Sequence, residues 1–297
     1  TVNRHSEVVH SSTTISIDAM GGDLGPTAVI AGIVRAAKKN AGIHFLLHGP
    51  SKHLKKLVSK RHSLSGRVTV IDSNEVVKME DKPSHIIRHG QETSMWSAID
   101  SVRDGSASVC VSCGNTGALM ALSMLRLRKL TGVNRPAIAI LWPSSNPMGF
   151  NVMLDVGADI RADAKDLLQY ALMGVSYARN GLGVTTPRVG LLNVGTEQHK
   201  GRNELKEAFS KIEQCQQEAN FSFEGFVEGS DIPGSKVDVI VTDGFTGNVA
   251  LKTGEGTASL IGYLLREAFK FSPLSMLASL LAFTSLNRLK MRIDPRR

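Results

Sequence analysis

The stretch VCVSCGNTGALM, residues 109–120, indicates the fold of this 297-residue chain. It begins as a short apolar strand and continues beyond Leu119 as a helix, with a turn of serine, cysteine, asparagine, threonine and two glycines between them. Glycines let backbone N–H groups approach a ligand, and a helix N-terminus adds partial positive charge, so such a turn suits an anion. The simpler alternative is a tight turn that needs its glycines for conformation alone.

Four other apolar segments also run into polar, glycine-bearing loops. They are TISIDAMGGDLGP (14–26), NVMLDVGAD (151–159), RVGLLNVGTEQHKG (188–201) and VDVIVTDGFTGNVAL (237–251). Helix-like stretches occupy residues 27–39, 95–105, 164–180 and 203–219. Continuous apolar strands that alternate with helices are typical of a mostly parallel sheet with helices on both faces. We therefore predict a Rossmann-like three-layer α/β fold, with ligands at the carboxyl ends of the strands.

Two of these loops share a pattern: a strand, a serine or threonine, and then G-x-T-G. The pattern aligns Gly114 with Gly244, Thr116 with Thr246, and Gly117 with Gly247. Chance or common turn chemistry explains it as well as an internal duplication does, and the sequence leaves both interpretations open.

The charge balance indicates an acidic partner. The formal net charge is +8 and the pI is about 9.5, which fits nucleic acid, anionic lipid, an acidic protein or a phosphorylated substrate. Aromatic residues make up 5% of the chain and are not interleaved with basic ones, so we expect no nucleic acid partner.

The location and domain organisation follow from the apolar pattern. No run of about 18 apolar residues predicts a transmembrane helix. The start TVNRHSEVVHSSTT lacks the apolar core of a signal peptide, and three cysteines fit a reducing compartment. We expect a cytoplasmic protein with a disordered tail over residues 1–13 and a single α/β domain over 14–297.

Seven segments of the chain follow one another in the order of a known family. They are IDAMGGDLGP (17–26), TSMWSAI (93–99), VSCGNTGALMA (111–121), RPAIA (135–139), LDVGAD (154–159), PRVGLLNVGTEQHKG (187–201) and VTDGFTGNVALKTGEG (241–256). Together they resemble the phosphate acyltransferase family of bacterial phospholipid synthesis, PlsX. The resemblance implies a fold similar to isocitrate and isopropylmalate dehydrogenases and to phosphotransacetylase.

The resemblance also implies an activity and partners. A fatty acyl group would pass from acyl carrier protein to inorganic phosphate, giving acyl phosphate for phosphatidic acid and phospholipid synthesis. A membrane glycerol-3-phosphate acyltransferase of the PlsY type would consume this product, and the enzyme would be a homodimer. We expect no metal and no cofactor.

The chain departs from the family pattern at four places. Cys113 stands where alanine is common, Asp159 stands where asparagine is common, and GRNEL (201–205) has one more residue than the usual GNEL. The glycine-rich segment and last helix that follow DP in family members are not present after Pro295, so we expect the C-terminal end of the family domain to be absent from this sequence.

Three residues are the catalytic candidates. Lys200 lies in a strand-end loop with Asn193, Thr196 and His199, and the resemblance places the family's lysine there; a solvated loop lysine is the alternative. Asn248 could donate its amide N–H to an oxyanion or to phosphate, or cap the following helix. Asp243 could orient Lys200, hold a donor or cap its turn.

Ten further residues are candidates for binding substrate or phosphate. The first loop contributes Asp18 with its glycines, and Arg88 binds phosphate or carrier protein unless it is simply a surface arginine. The full set is Asp18, Gly21, Gly22, Arg88, Gly114, Asn115, Thr116, Gly117, Thr246 and Gly247. Cys110 and Cys113 form a C-x-x-C without a second pair, which argues against a metal site, and an acyl-enzyme on Cys113 is disfavoured because the family tolerates alanine there.

Residues 265–293 are predicted as a protruding apolar and basic helical segment. Within residues 271–291 one helical stripe is formed by Leu274, Leu277, Leu280, Leu281 and Phe283. The stripe is either a core or dimer helix, or a tip that lies on an anionic membrane with the basic residues that follow Ser285, making the protein peripherally membrane-associated.

Rival functions lack their motifs. GGDLGP is not the G-x-G-x-x-G of a nicotinamide dehydrogenase, and no G-x-x-x-x-G-K-[ST] occurs. A scaffold that binds carrier protein or membrane without turnover fits the charge equally well, but does not explain the polar strand-end loops.

Overall fold

The computed structural model describes residues 13–293, which form two compact units that divide between Thr131 and Gly132. The predicted disordered tail lies outside the described residues, except that Thr13 begins the first strand. The predicted single domain over 14–297 stays a prediction, and each unit is described by itself. None of the described helices is both long and apolar enough to cross a bilayer.

The first unit is built on a four-stranded parallel sheet of order β3-β2-β1-β4. Its strands are β1 (Thr13–Asp18), β2 (Ile43–Gly49), β3 (Val68–Asp72) and β4 (Val109–Ser112). Its helices are α1 (Gly25–Lys39), α2 (Ser51–Ser59), α3 (Pro83–His89), α4 (Ser94–Arg103) and α5 (Thr116–Arg126).

Helices cover both faces of the sheet in the first unit. Successive side chains of a strand point to opposite faces, so each strand contributes to both layers of packing. Ile17 of β1 and Leu47 of β2 point to one face and pack with α1 and α2. Ser16 and His48 point to the other face, where Ser16 Oγ donates to the carbonyl of Ala98 in α4.

The second unit contains a five-stranded sheet of order β5-β6-β9-β7-β8. Its strands are β5 (Ala139–Pro143), β6 (Phe150–Leu154), β7 (Arg188–Leu192), β8 (Ser222–Val227) and β9 (Val239–Val241). Only β5 is antiparallel to its neighbour, so the prediction of a mostly parallel three-layer α/β fold is confirmed.

The second unit has five described helices, of which the first three pack on its sheet. They are α6 (Ala164–Leu182), α7 (Asn203–Cys215), α8 (Gly244–Lys270), α9 (Pro273–Leu281) and α10 (Phe283–Ile293). Val239 and Val241 of β9 join the core beneath α6 and α7, whereas Ile240 between them joins the cluster that includes Leu251 of α8. Strands buried on both faces explain why the sequence reads as continuous apolar runs.

The apolar stripe predicted as one helix over 271–291 is interrupted. Helix α9 ends at Leu281 and α10 begins at Phe283, so Phe283 does not continue the stripe of α9. Leu274, Leu277 and Leu281 are exposed, which excludes a role in the core of the described chain. The dimer and membrane interpretations both stay open.

A buried histidine lies between the sheet and α4 in the first unit. His48 Nδ1 is 2.8 Å from Ser97 Oγ, and its Nε2 is 3.0 Å from Ser16 Oγ. Burial lowers the pKa of His48 to about 4, against the opposing effect of the Asp18 charge. A neutral imidazole therefore joins two strands to a helix.

We expect this histidine to make stability depend on pH. Because the pKa is lower in the folded state, the unfolded chain binds the extra proton between about pH 6.5 and 4, and stability is lost as the pH falls through that window. Lowering the pH from 7 to 5 should cost about 2 kcal/mol of unfolding free energy from this residue alone. Denaturant unfolding of the wild type and of His48→Gln at both pH values checks this, since the variant should lack that part of the loss. An equal loss in both proteins would contradict it.

Candidate functional site

Apart from Arg88, the residues predicted for binding and catalysis follow the carboxyl ends of parallel strands, one group in each unit. In the first unit, Asp18 ends β1 and is buried. Its Oδ1 accepts from Ser94 Oγ at 2.6 Å, and its Oδ2 accepts from Ser112 Oγ at 2.7 Å. Asp18 therefore ties β1 to β4 and to the start of α4, and both carboxylate oxygens already have donors.

The glycines of the first loop are required by close packing. A Cβ on Gly21 would lie 2.7 Å from Asp18 Oδ2 and 2.7 Å from the Gly114 nitrogen. Gly22 has φ +90° and faces the carbonyl of Cys113. The structure thus brings Asp18, Gly21, Gly22 and Gly114 together, and each glycine allows the two loops to touch.

Asn115 is held by the protein itself. Its Oδ1 caps α5 by accepting from the Ala118 N–H at 3.0 Å. Its Nδ2 lies 3.0 Å from the carbonyls of both Met79 and Asp81 and donates to them. This side chain anchors a neighbouring loop, so its polar atoms have partners without a substrate.

The other first-unit candidates differ in what they leave accessible. Thr116 is exposed at the first position of α5, and Gly117 follows it beside Pro83. Arg88 is exposed on α3 and has no ion pair among residues 13–293. Thr116 and Gly117 are therefore the candidates that lie at the N-terminus of a helix, a position that suits an anion.

In the second unit, Asp155 organises the loop after β6. This buried carboxylate accepts from four backbone N–H groups, and the donors are Ile138, Gly157, Ala158 and Asp159, at 2.8–3.2 Å. Asp159 also pairs with Arg135 at 2.7 Å. The loop is therefore rigidly shaped by hydrogen bonds to one side chain.

The start of α8 packs directly on this loop. A Cβ on Gly244 would overlap the Asp159 carbonyl, and a Cβ on Gly247 would overlap the Asp155 carbonyl. The side chain of Asn248 lies beside Gly157, whose φ is +135°. The glycines of this G-x-T-G turn thus permit backbone-to-backbone approach.

Asp243 caps α8 and does not contact Lys200. Its Oδ1 accepts from the Thr246 N–H at 2.9 Å, and its Oδ2 accepts from Thr246 Oγ1 at 2.9 Å. The same buried carboxylate forms an ion pair with Arg202. The suggestion that Asp243 orients Lys200 is therefore wrong for this structure, whereas its capping of the turn is observed.

Lys200 reaches a different carboxylate. Its Nζ lies 2.7 Å from Glu197 Oε1 in the same loop, and both side chains are exposed. The hydrogen bond to Glu197 raises the pKa of Lys200, so the ammonium stays charged at neutral pH. Asn193 Nδ2 donates to the Lys200 carbonyl at 3.2 Å, which supports the loop from beneath.

Asn248 is exposed in the second turn of α8, whereas Asp243 occupies the N-cap. The interpretation of Asn248 as the helix cap is thus wrong, and its amide is available as a donor. The cysteines differ too: burial, with the Asp18 charge, raises the pKa of Cys110 to about 12, while Cys113 is exposed. No three His, Cys, Asp or Glu side chains within residues 13–293 are grouped as metal ligands.

The structure adds three residues that were not among the predicted site residues. Arg202 connects the loop after β7 to the cap of α8, Asp155 shapes the loop after β6, and Ser94 holds Asp18. Arg202 lies in GRNEL, where the sequence departs from the family pattern, and that departure was the available signal. The other two lie inside segments that carry the resemblance.

Known proteins resemble this chain in both sequence and fold. The sequence signature of the family described as fatty acid synthesis protein matches residues 13–297. The phosphate acyltransferases of Ruegeria sp. (strain TM1040) and Ruegeria pomeroyi are each 70% identical to this chain, over 96% and 95% of it and 76% of each relative. A phosphotransacetylase from Streptococcus pyogenes shares the fold, with a TM-score of 0.60, 15% identity and coverage of 83% of this chain and 82% of that one.

The family signature and the relatives identify the protein as an enzyme, an acyltransferase. The chain belongs to the phosphate acyltransferase (PlsX) family of fatty acid synthesis proteins. The resemblance drawn from the seven segments is thereby confirmed.

Proposed function

We propose that this enzyme transfers a fatty acyl group from acyl carrier protein to inorganic phosphate and releases acyl phosphate. The observation that carries the proposal is the turn Asp243–Asn248, where the start of α8 and the exposed amide of Asn248 adjoin the loop of Lys200 through the Asp243–Arg202 ion pair. Family membership supports the phosphate acceptor. The carrier-bound donor rests on the family resemblance.

The reaction needs few protein groups. A phosphate oxygen attacks the thioester carbonyl carbon, the C–S bond breaks, and the thiolate leaves and takes up a proton from solvent. Phosphate dianion is already a nucleophile near neutral pH, so no strong general base is required. The protein must hold phosphate, stabilise charge on the carbonyl oxygen and keep water from the labile product.

The second unit supplies groups suited to these tasks. Lys200 offers a full positive charge, and phosphate would replace Glu197 as its partner. The start of α8 adds the partial positive charge of a helix N-terminus, where negative charge is favoured. Asn248 would donate to the oxyanion or to phosphate, while Asp243 and Arg202 hold the two loops together.

The finer cellular role follows the same resemblance. Acyl phosphate would pass to a membrane glycerol-3-phosphate acyltransferase of the PlsY type, in phospholipid synthesis. We propose a cytoplasmic homodimer that contacts the anionic inner face of the membrane peripherally. The exposed leucines of α9 and the basic residues of α10 support a contact of this kind.

The decisive experiment measures thiol release from acyl carrier protein thioester with increasing inorganic phosphate. The expected result is release that saturates with phosphate and produces acyl phosphate in equal amount. Release at the same rate without phosphate would identify a thioesterase, and binding without release would identify a scaffold. Cys113→Ala should stay active, and its inactivity would instead support an acyl-enzyme on that cysteine.

A membrane contact through α9 makes a separate prediction. Each leucine buried in the interface contributes about 1.5–3 kcal/mol, and each nearby Lys or Arg about 1 kcal/mol on an anionic surface. Leu277→Glu/Leu281→Glu should therefore release the protein from anionic vesicles in a sedimentation assay and leave transfer in solution nearly unchanged.

The matched control changes two exposed leucines of the first unit, Leu125→Glu/Leu130→Glu, which should leave vesicle binding intact. Sedimentation equilibrium shows whether the α9 variant still forms dimers. Dissociation to monomers would assign the stripe to the dimer interface and overturn its membrane role.

A further inference from the structure

One long stretch of the first unit contains no acidic residue. Residues 24–71 include no Asp or Glu. The same stretch contains the basic residues Arg35, Lys38, Lys39, Lys52, Lys55, Lys56, Lys60, Arg61 and Arg67. The summed positive charge of these nine residues exceeds the net charge of +8 of the entire chain. This charge is concentrated on α1, on α2 and in the turns that flank them.

The fold collects these residues on one outer face. Helices α1 and α2 pack on the same face of the sheet and share an apolar core with Leu54 and Leu64. Arg67 is used internally, since its guanidinium donates to the carbonyls of Ala37 and Ile43. The other eight basic side chains are exposed, and we call them the basic face.

No residue of the basic face has an ion pair with any described residue. This arrangement of positive charges destabilises helix α2. Lys52 and Lys56 are like charges four residues apart, and Lys52 lies in the first turn, where a cation opposes the helix dipole. Asp72 offsets part of this by accepting from the Ser51 N–H at 2.7 Å.

A cleft opens on this face beside α2 and β3. Its volume is about 370 Å³, with Val58 and Val68 among its apolar lining and Lys55, Arg61 and His62 among its polar lining. A basic rim over an apolar floor fits a helix that presents acidic side chains around an apolar one.

The basic face also adjoins the carboxyl edge of the sheet. Gly49 ends β2, and α2 begins two residues later. A Cβ on Gly49 would lie 2.8 Å from Met20 Cγ, which belongs to the loop of Gly21 and Gly22. A partner bound to α2 would therefore lie next to the loops at the carboxyl edge of this sheet.

We propose that the basic face is the docking surface for an acidic helix of the acyl carrier protein, which rests on the proposed function. Leu24, at the N-cap of α1, is the one large apolar side chain exposed between residues 24 and 71, and it lies eleven positions before Arg35, so the basic face itself has no large apolar side chain to insert into a bilayer. The stretch contains no Trp or Tyr and its one Phe, Phe45, is buried, so the face lacks the large aromatic platform on which bases stack. An acidic protein surface is the remaining complement to this charge.

The test compares two acyl donors with the same variant. In Lys52→Glu/Lys56→Glu, kcat/KM for the carrier protein thioester should fall about tenfold or more at low salt, because reversed charges slow association. With a small pantetheine thioester of the same acyl group, kcat/KM should stay within twofold of wild type. The wild-type rate with carrier protein should fall as salt rises, and the variant should lose this dependence.

The matched control is Lys211→Glu/Lys236→Glu, which changes the net charge equally in the second unit and should leave both donors unaffected. Equal loss with both donors, or equal loss in the control, would overturn the docking surface. Release of the variant from anionic vesicles with unchanged carrier kinetics would also overturn it and assign the face to lipid. Failure of the proposed function is distinct, since the wild type would then show no phosphate-dependent transfer from carrier protein.

Discussion

Lys200→Ala should lower phosphate-dependent thiol release by about a hundredfold or more, the scale seen when one group that stabilises the transition state is removed. The ammonium is kept charged by Glu197 and is exposed, so it is available to a dianion. Because the side chain supports no buried contact, the fold should survive the change. Steady-state kinetics with varied phosphate, together with thermal unfolding, separates the two effects.

Two further variants test whether the loss of activity in Lys200→Ala reflects a direct role in transfer. Asn248→Ala should lose activity on the same scale, since its amide is exposed and caps nothing. Glu197→Gln should keep activity, because it removes only the resting partner of Lys200. A near-wild-type rate in Lys200→Ala or in Asn248→Ala would remove that residue from the catalytic group.

Gly244→Ala should destabilise the second unit by about 3 kcal/mol or more and abolish transfer. The added methyl group would overlap the Asp159 carbonyl and crowd the Asp155 carboxylate, and neither can move without breaking the hydrogen bonds that shape their loop. Denaturant unfolding followed by circular dichroism gives the change in unfolding free energy.

Helix α8 offers a matched control for this substitution. A Cβ on Gly256 would meet nothing within 4 Å, so Gly256→Ala should stabilise the helix by up to about 1 kcal/mol and leave activity unchanged. Equal effects of the two substitutions would show that close approach at Gly244 is not what the turn requires.

The fold was predictable where apolar periodicity is local. The segments before the polar loops became β1, β4, β6, β7 and β9, and the four helix-like stretches became α1, α4, α6 and α7. The antiparallel β5 was not foreseen because its pairing with β6 depends on partners outside its own stretch. The break between α9 and α10 was missed because the leucine spacing continues across Ala282.

The site was predictable as a set of loops but not as a set of contacts. Lys200 was singled out by its strand-end loop together with the family resemblance, and Asp243 by its strand-end position, yet their carboxylate and cation partners were not predicted. Ser94 meets Asp18 across 76 positions, and Arg202 meets Asp243 across 41. Such pairings are set by which loops become neighbours at the sheet edge, and no local spacing records them.

The two G-x-T-G loops also show that a repeated sequence motif can adopt two different local structures. Helix α5 begins at Thr116 after the cap Asn115, whereas α8 begins at Gly244 after the cap Asp243. The aligned threonines are thus the first residue of one helix and the third of the other. Two residues amount to about 3 Å of rise and about 200° of rotation, so the aligned side chains leave their helices in nearly opposite directions. Thr246 turns back to the Asp243 carboxylate, and Thr116 faces outward.

A chimera that exchanges these two loops at aligned positions would place each helix cap at the wrong position. Only an exchange shifted by two residues preserves both helix starts.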